Sequence, residues 1–309
     1  MTVSDALPQA SADSPARRYL DLARLGRVDG WSVVRAVLRV VLYYVLAIIV
    51  LSVAYAAILA FAAPQFKRLS EALGPSGELL LILIAFLPVL WGVRDAVVYS
   101  HRRPFLSLIG PDLRFDAGRV LIGAGAWLAA MLLCLAAATL IALASGAPDE
   151  PAGDWSFDWS LLPVALVGFL VIPIQAGTEE LLCRGWLTQL LGQAIRSPVI
   201  VALLVAVVFS LLHGVGSLVS FAYFMIMSLA FSAISLRDGR LELVIGAHAA
   251  QNLFVLLIAS PMANAAHRPT LLDADPGQMS WSELPVGVAI AVVGYVLSGW
   301  LTPRLKARG

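Results

Sequence analysis

The sequence predicts an all-α polytopic integral membrane helix bundle of about eight transmembrane helices, with both termini cytoplasmic. Composition, long unbroken apolar runs and the placement of arginine and lysine carry that prediction. The 309 residues are 60% hydrophobic and 13% charged, with a mean hydropathy of +0.87. Soluble domains are roughly 45–50% apolar and about 25% charged. Folding alone would therefore leave too much apolar surface in water, and lipid is the solvent that suits it.

A spanning helix takes about 20 mostly apolar residues. Runs of that kind lie near residues 40–63, 79–99, 120–145, 160–178, 198–214, 218–236, 242–262 and 283–302. They lack the period-2 alternation of a membrane barrel. Basic residues fix the orientation. Arg17, Arg18, Arg24, Arg27, Arg35 and Arg39 precede or open the first run, and Arg94, Arg102, Arg103, Arg114 and Arg119 lie around the second connection. Arg304, Lys306 and Arg308 end the chain. The connection from Ser145 to Trp159 holds Asp149, Glu150, Asp154 and Asp158 with no base. Basic connections face the cytoplasm, so an even number of spans fits every basic cluster except Lys67–Arg68.

The remaining composition is mainly exclusive. A net charge of +1 offers no field for a nucleic acid. Two cysteines, Cys134 and Cys183, cannot build a disulfide framework or a cysteine-rich zinc site and read as small hydrophobes. The first 30 residues are polar and lack the short apolar run of a secretory signal. They read as a cytoplasmic arm, partly helical around Ala16–Arg27, which points to a plasma (inner) membrane. The organisation expected is a polar arm at 1–35, N-terminal spans over 36–159, a motif-bearing core at 160–262, and a loop, last span and basic tail over 263–309. Pro64, Gly74–Pro75, Pro148–Asp158 and Arg268–Gly277 mark loops by their turn chemistry.

Ionisable groups inside a span are costly and usually face the bundle interior for a functional reason. The C-terminal half has three such interruptions. In Gly177-Thr178-Glu179-Glu180-Leu181-Leu182-Cys183-Arg184-Gly185, Glu180 and Arg184 stand at i and i+4 and can pair on one helix face. Glu179 points about 100° away and is not claimed by that arginine. Desolvation favours the neutral form of a carboxylate without a partner, so Glu180 stays ionised while Glu179 is left able to exchange a proton. Phe209-Ser210-Leu211-Leu212-His213 closes a run without charge. His248 and Asn252 again share a face at i and i+4. Each has a bland reading, as a solvated helix end, an interface histidine or interhelical glue. Together they take two of the chain's four histidines, while His101 and His267 fall in expected loops. Three helices each offering acid–base or hydrogen-bonding groups point to a convergent site.

Known hydrolase patterns narrow the chemistry. A His-Glu-x-x-His zinc helix is absent, as is a Gly-x-Ser-x-Gly elbow, and the aspartates lie almost wholly in loops. What remains, Glu-Glu-x-x-x-Arg, then Phe-x-x-x-His, then His-x-x-x-Asn, resembles the CAAX prenyl protease and bacteriocin-processing (abortive-infection) family. The likeness extends through Gly185-Trp186-Leu187, Gly214 and the lead-in Asp238-Gly239-Arg240-Leu241-Glu242, and covers roughly residues 160–262. Cys183 replaces the family's usual aromatic, and residues 214–237 are poorer in glycine than in many members. The resemblance implies an intramembrane endopeptidase acting on a membrane-anchored peptide or protein, prenylated or not. Glu179 would activate water with help from His213, His248 and Asn252 would stabilise the oxyanion, and Glu180–Arg184 would hold the motif helix. The family is also described as metal-dependent, in which case Glu179, His213 and His248 would be zinc ligands. A proton-linked transporter and a catalytically silent immunity or scaffold protein of the same fold are the competing classes. The polar groups' confinement to one half counts against the first, and the intact motifs against the second.

Depth sets one further expectation. Helices starting near Arg196 and Arg240 place His213 ~20–25 Å deep but His248 only ~10 Å deep. Glu179 matches His213 if the fourth helix runs through its motif to about residue 192.

Overall fold

A computed structural model of the chain describes residues 14–146, 161–214, 216–259, 281 and 284–306. Every regular element among them is helical. In order these are α1 (Pro15–Asp21), α2 (Gly30–Phe61), α3 (Ala63–Leu73), α4 (Pro75–Asp95), α5 (Ala117–Ala144), α6 (Leu161–Glu180), α7 (Thr188–Ala194), α8 (Pro198–Leu212), α9 (Leu218–Asp238), α10 (Glu242–Phe254) and α11 (Leu284–Lys306). Wide π turns follow α4 at Ala96–Ser100, join α6 to α7 at Leu181–Leu187 and extend α10 at Val255–Ala259.

All eight apolar runs coincide with helices, and the chain is a multi-pass integral membrane protein. Six helical stretches among the described residues are long and apolar enough to cross a membrane. The other two, Pro198–Leu212 and Glu242–Ile258, are shorter apolar helices. At 1.5 Å per residue, 15 residues reach about 22 Å, less than a ~30 Å hydrocarbon core. These are the helices that bring His213 and His248 to the site. As expected, the fourth run passes through its motif and continues to Ala194.

Three expectations change. The first long helix begins at Gly30, where the Asp29 carboxylate accepts from Ser32 N–H, not near residue 40. Pro64 does not mark a loop but lies in the first turn of α3, where a proline's missing N–H costs no helix bond. The N-terminal arm is helical over Pro15–Leu25, as expected, but this part of it is docked on the bundle. Tyr19, Leu20 and Leu22 are buried in the largest core cluster with Leu108, Trp186 and Leu236, and Ala23 is buried beside them in sequence. The Tyr19 hydroxyl lies 2.7 Å from the Leu108 carbonyl and 3.2 Å from that of Arg184. His101, placed in a loop from sequence, is buried with both ring nitrogens engaged. Nδ1 faces the Arg27 carbonyl at 2.8 Å and Nε2 accepts from Trp186 Nε1–H at 2.9 Å. Burial holds its pKa below the usual value, which suits this neutral, structural role. His267 and the acidic 149–158 stretch lie outside the described residues.

α10 sits at the centre of the motif half, against α5 on one side and α6 on another. Its start is itself internal. Gly239, in the left-handed region at φ 74°, ends α9, and the chain turns inward so that Leu241 and Glu242 are fully buried. Arg119 pairs with Asp238, and Arg240 pairs with Asp112 at 2.6 Å and Glu242 at 2.5 Å, which compensates the carboxylates at this turn. His213 and His248 meet despite their different distances from their helix starts, with Nε2 3.8 and 3.5 Å from one Glu179 oxygen.

The α5–α10 crossing requires glycine at two points. A Cβ at Gly246 would run into the Val120 carbonyl oxygen, and one at Gly123 into that of Leu243. Gly246→Ala is expected to force the helices apart, costing about 1–3 kcal/mol or more and displacing His248 two residues on. A thermal melt in detergent with a large drop in midpoint, together with lost function, is the expected result; an unchanged midpoint would contradict the crossing.

Candidate functional site

The motif helix supplies a buried ion pair. Glu180 and Arg184 are both fully buried and pair at 2.9 Å between Oε1 and Nη1. Arg184 Nη2 donates to Ser228 Oγ on α9 at 2.7 Å, and the guanidinium carbon lies 4.2 Å from the Phe209 ring centre. A buried guanidinium is tolerated when its charge is met by a carboxylate and aromatic faces. The π turn that follows bears on the same helix. Thr188 Oγ donates to the Cys183 carbonyl at 2.8 Å, and the Tyr19 hydroxyl reaches the Arg184 carbonyl, so two carbonyls of the widened turn are partnered.

Glu180 does more than hold the helix. Its Oε1 also lies 2.7 Å from His248 Nδ1 on α10. An ionised carboxylate only accepts, so Nδ1 carries a proton and its orientation is fixed. His213, at the end of α8, is set by a different acceptor. Its Nδ1 lies 2.8 Å from the Phe209 carbonyl, which likewise requires a proton on Nδ1. The His213 ring is clamped between Phe209 and Phe224, with ring centres 4.3 and 4.4 Å away.

Both histidines therefore turn Nε2 to the same place. Glu179 Oε2 lies 3.8 Å from His213 Nε2 and 3.5 Å from His248 Nε2. These separations exceed a direct hydrogen bond, and Oε2 is buried without a hydrogen-bonding partner among the described residues. Asn252 reaches the cluster through one intermediary. Its Nδ2 donates to Gln175 Oε1 at 3.0 Å, and Gln175 Nε2 donates to Glu179 Oε1.

The structure thus gathers all six residues read from the sequence, Glu179, Glu180, Arg184, His213, His248 and Asn252, from α6, its π turn, α8 and α10. It adds Gln175, Ser228 and Phe209's ring. Gln175 was overlooked although it stands four residues before Glu179, because one neutral polar residue in a span reads as glue. The trio Glu179, His213 and His248 has donor types that zinc accepts. Among the described residues, however, no group of three His, Cys, Asp or Glu side chains is arranged to hold a metal ion.

Buried carboxylates, oriented imidazoles and a carboxamide on membrane helices make this chain, by fold and site, an intramembrane protein with an acid–base cluster. Residues 158–254 match the family described as type II CAAX prenyl endopeptidase, Rce1-like, which bears out the resemblance carried by the three motifs. The uncharacterized protein YyaK of Bacillus subtilis (strain 168) is 26% identical over 244 residues, covering 76% of this chain and 79% of the relative. No solved structure gives a significant match.

Proposed function

We propose that the chain is an intramembrane endopeptidase that uses water to cleave a membrane-anchored peptide or protein, with a CAAX-like or prenylated C-terminus the first class to test. The observation that carries this reading is the Glu179 carboxylate oxygen facing Nε2 of two histidines, 3.5 and 3.8 Å away. With Nδ1 protonated on each ring, neutral His213 presents a lone pair there beside the Glu179 carboxylate oxygen, while His248, paired through Nδ1 with Glu180, carries a proton on Nε2 as well. Two acceptors around one point suit a molecule with two O–H donors, and water is the smallest such nucleophile.

In the proposed reaction Glu179 Oε2 takes a proton from the water as its oxygen attacks the scissile carbonyl, and His213 Nε2 accepts the second O–H and aligns the attack. The carbonyl oxygen becomes an oxyanion. Glu180 on Nδ1 stabilises a doubly protonated His248, which then presents Nε2–H to that oxygen together with an Asn252 N–H. Glu179 passes its proton to the leaving amine as the C–N bond breaks. Arg184 holds the Glu180 carboxylate at 2.9 Å, so it acts on His248 through that carboxylate. All of these steps use side chains alone, and the membrane chosen for the test is a simple bilayer because the cellular one does not enter the chemistry.

The test uses purified full-length protein in liposomes with prenylated and unprenylated membrane-anchored peptides, followed by mass spectrometry. Cleavage of at least one peptide at a discrete bond is expected, with His213→Ala slower by about 10²-fold or more. Failure to cleave any peptide, or a His213→Ala rate equal to wild type, would sink the proposal.

A further inference from the structure

We infer that Gln175 is the positioning residue that joins the proposed base and the proposed oxyanion donor into one unit, and that it decides which oxygen of Glu179 does the chemistry. The inference rests on the endopeptidase reading and goes beyond it, since Gln175 belongs to none of the three motifs.

Gln175 lies in α6 one turn before Glu179 and is about nine-tenths buried. Its carboxamide is used at both ends. Nε2 donates to Glu179 Oε1, and Oε1 accepts from Asn252 Nδ2 on α10 at 3.0 Å. The order of these bonds is forced. An ionised Glu179 can only accept, so Gln175 must turn its NH2 toward it and its oxygen toward Asn252. Asn252 must then answer with its own NH2. One residue thereby sets the flip of both amides.

Two consequences follow for the reaction. First, Glu179 Oε1 is occupied by a donor, so a proton taken up by this carboxylate goes to Oε2, the oxygen that faces His213 and His248. Without Gln175 the carboxylate could rotate, and either oxygen could face the histidines. Second, Asn252 Nδ2 spends one N–H on Gln175 and keeps its other N–H for the substrate oxygen. An Asn252 with the opposite flip would turn an acceptor toward the oxyanion and repel it. Gln175 touches neither water nor substrate in this scheme. Its contribution is orientation, and small misplacements of reacting groups cost up to about 10²-fold in rate.

The bland alternative is a glutamine that glues α6 to α10 and affects only stability. A split of kinetic constants separates the two. In the liposome assay, with a cleaved peptide as probe, Gln175→Met keeps the side-chain volume but loses both bonds. Its kcat is expected to fall about 10- to 100-fold with KM within about twofold. Asn252→Ala should also be slow, and Gln175→Met/Asn252→Ala no slower than the slower single variant, because residues acting as a unit do not add. A folded Gln175→Met with wild-type kcat, or losses that multiply in the double variant, would overturn the inference. Should Gln175→Met not fold, Gln175→Glu is measured instead. It retains the acceptor for Asn252 but faces Glu179 with a second acceptor, and wild-type kcat there overturns the inference equally. Glu179→Gln in the same assay separates the two failures. If wild type cleaves no peptide, the endopeptidase reading fails, and if Glu179→Gln cleaves at the wild-type rate, Glu179 is not the base. If Glu179→Gln is inactive while Gln175→Met matches wild type, only the role of Gln175 fails.

Discussion

Arg184→Met is expected to destabilise the folded protein by about 3–5 kcal/mol, because it leaves the fully buried Glu180 carboxylate without its cation. The loss should be read as a lower midpoint of thermal or denaturant unfolding in detergent. It also strips the donor from Ser228 Oγ and the cation between Phe209 and Phe231. Replacing both partners, Glu180→Leu with Arg184→Met, should recover much of the stability, since removing both members of a buried pair costs far less than removing one. Function should not return with it. His248 Nδ1 then has no carboxylate, so the ring is free to turn and loses the group that stabilises its charged form. A double variant that regains stability and activity together would show that Glu180 serves only the helix.

Glu179→Gln carries the second large effect. The substitution preserves shape, and its carboxamide can still meet Gln175, so the bundle should melt within about 1 kcal/mol of wild type. The cost falls on chemistry. A carboxamide cannot take a proton from water at neutral pH, and removing a positioned base slows proton transfer by about 10²–10⁴-fold. Stability retained with activity lost is the signature that separates a base from a packing residue. The reverse pattern would assign Glu179 to structure.

Much of this was legible in the sequence because lipid simplifies the code. Continuous apolar runs marked the positions of all the long helices and the two short ones, since without a barrel's period-2 alternation only helices satisfy backbone polar groups in hydrocarbon. The i, i+4 spacing of Glu180 with Arg184 correctly paired them, and the depth of His213 required a helix running past Glu179. Other features had no sequence signal of comparable strength. Tyr19-Leu20-Asp21-Leu22 is a short apolar patch among arginines, and only a partner surface at Leu108 and Trp186 shows that it docks. Glu180 appeared fully accounted for by Arg184, which hid its second contact with His248. The inward start of α10 depends on Gly239 and on ion pairs, of which Arg119–Asp238 and Arg240–Asp112 join residues distant in sequence. Gln175 was a single neutral residue in an apolar run, and its two bonds exist only once α6 and α10 are packed.

The account stands most directly on the rate of peptide-bond cleavage by the purified protein, measured for wild type and Glu179→Gln in the same liposomes and on the same membrane-anchored peptide. It predicts a discrete cleavage by wild type and a Glu179→Gln rate at least about 10²-fold lower, with unchanged melting. Equal rates for the two proteins would contradict it.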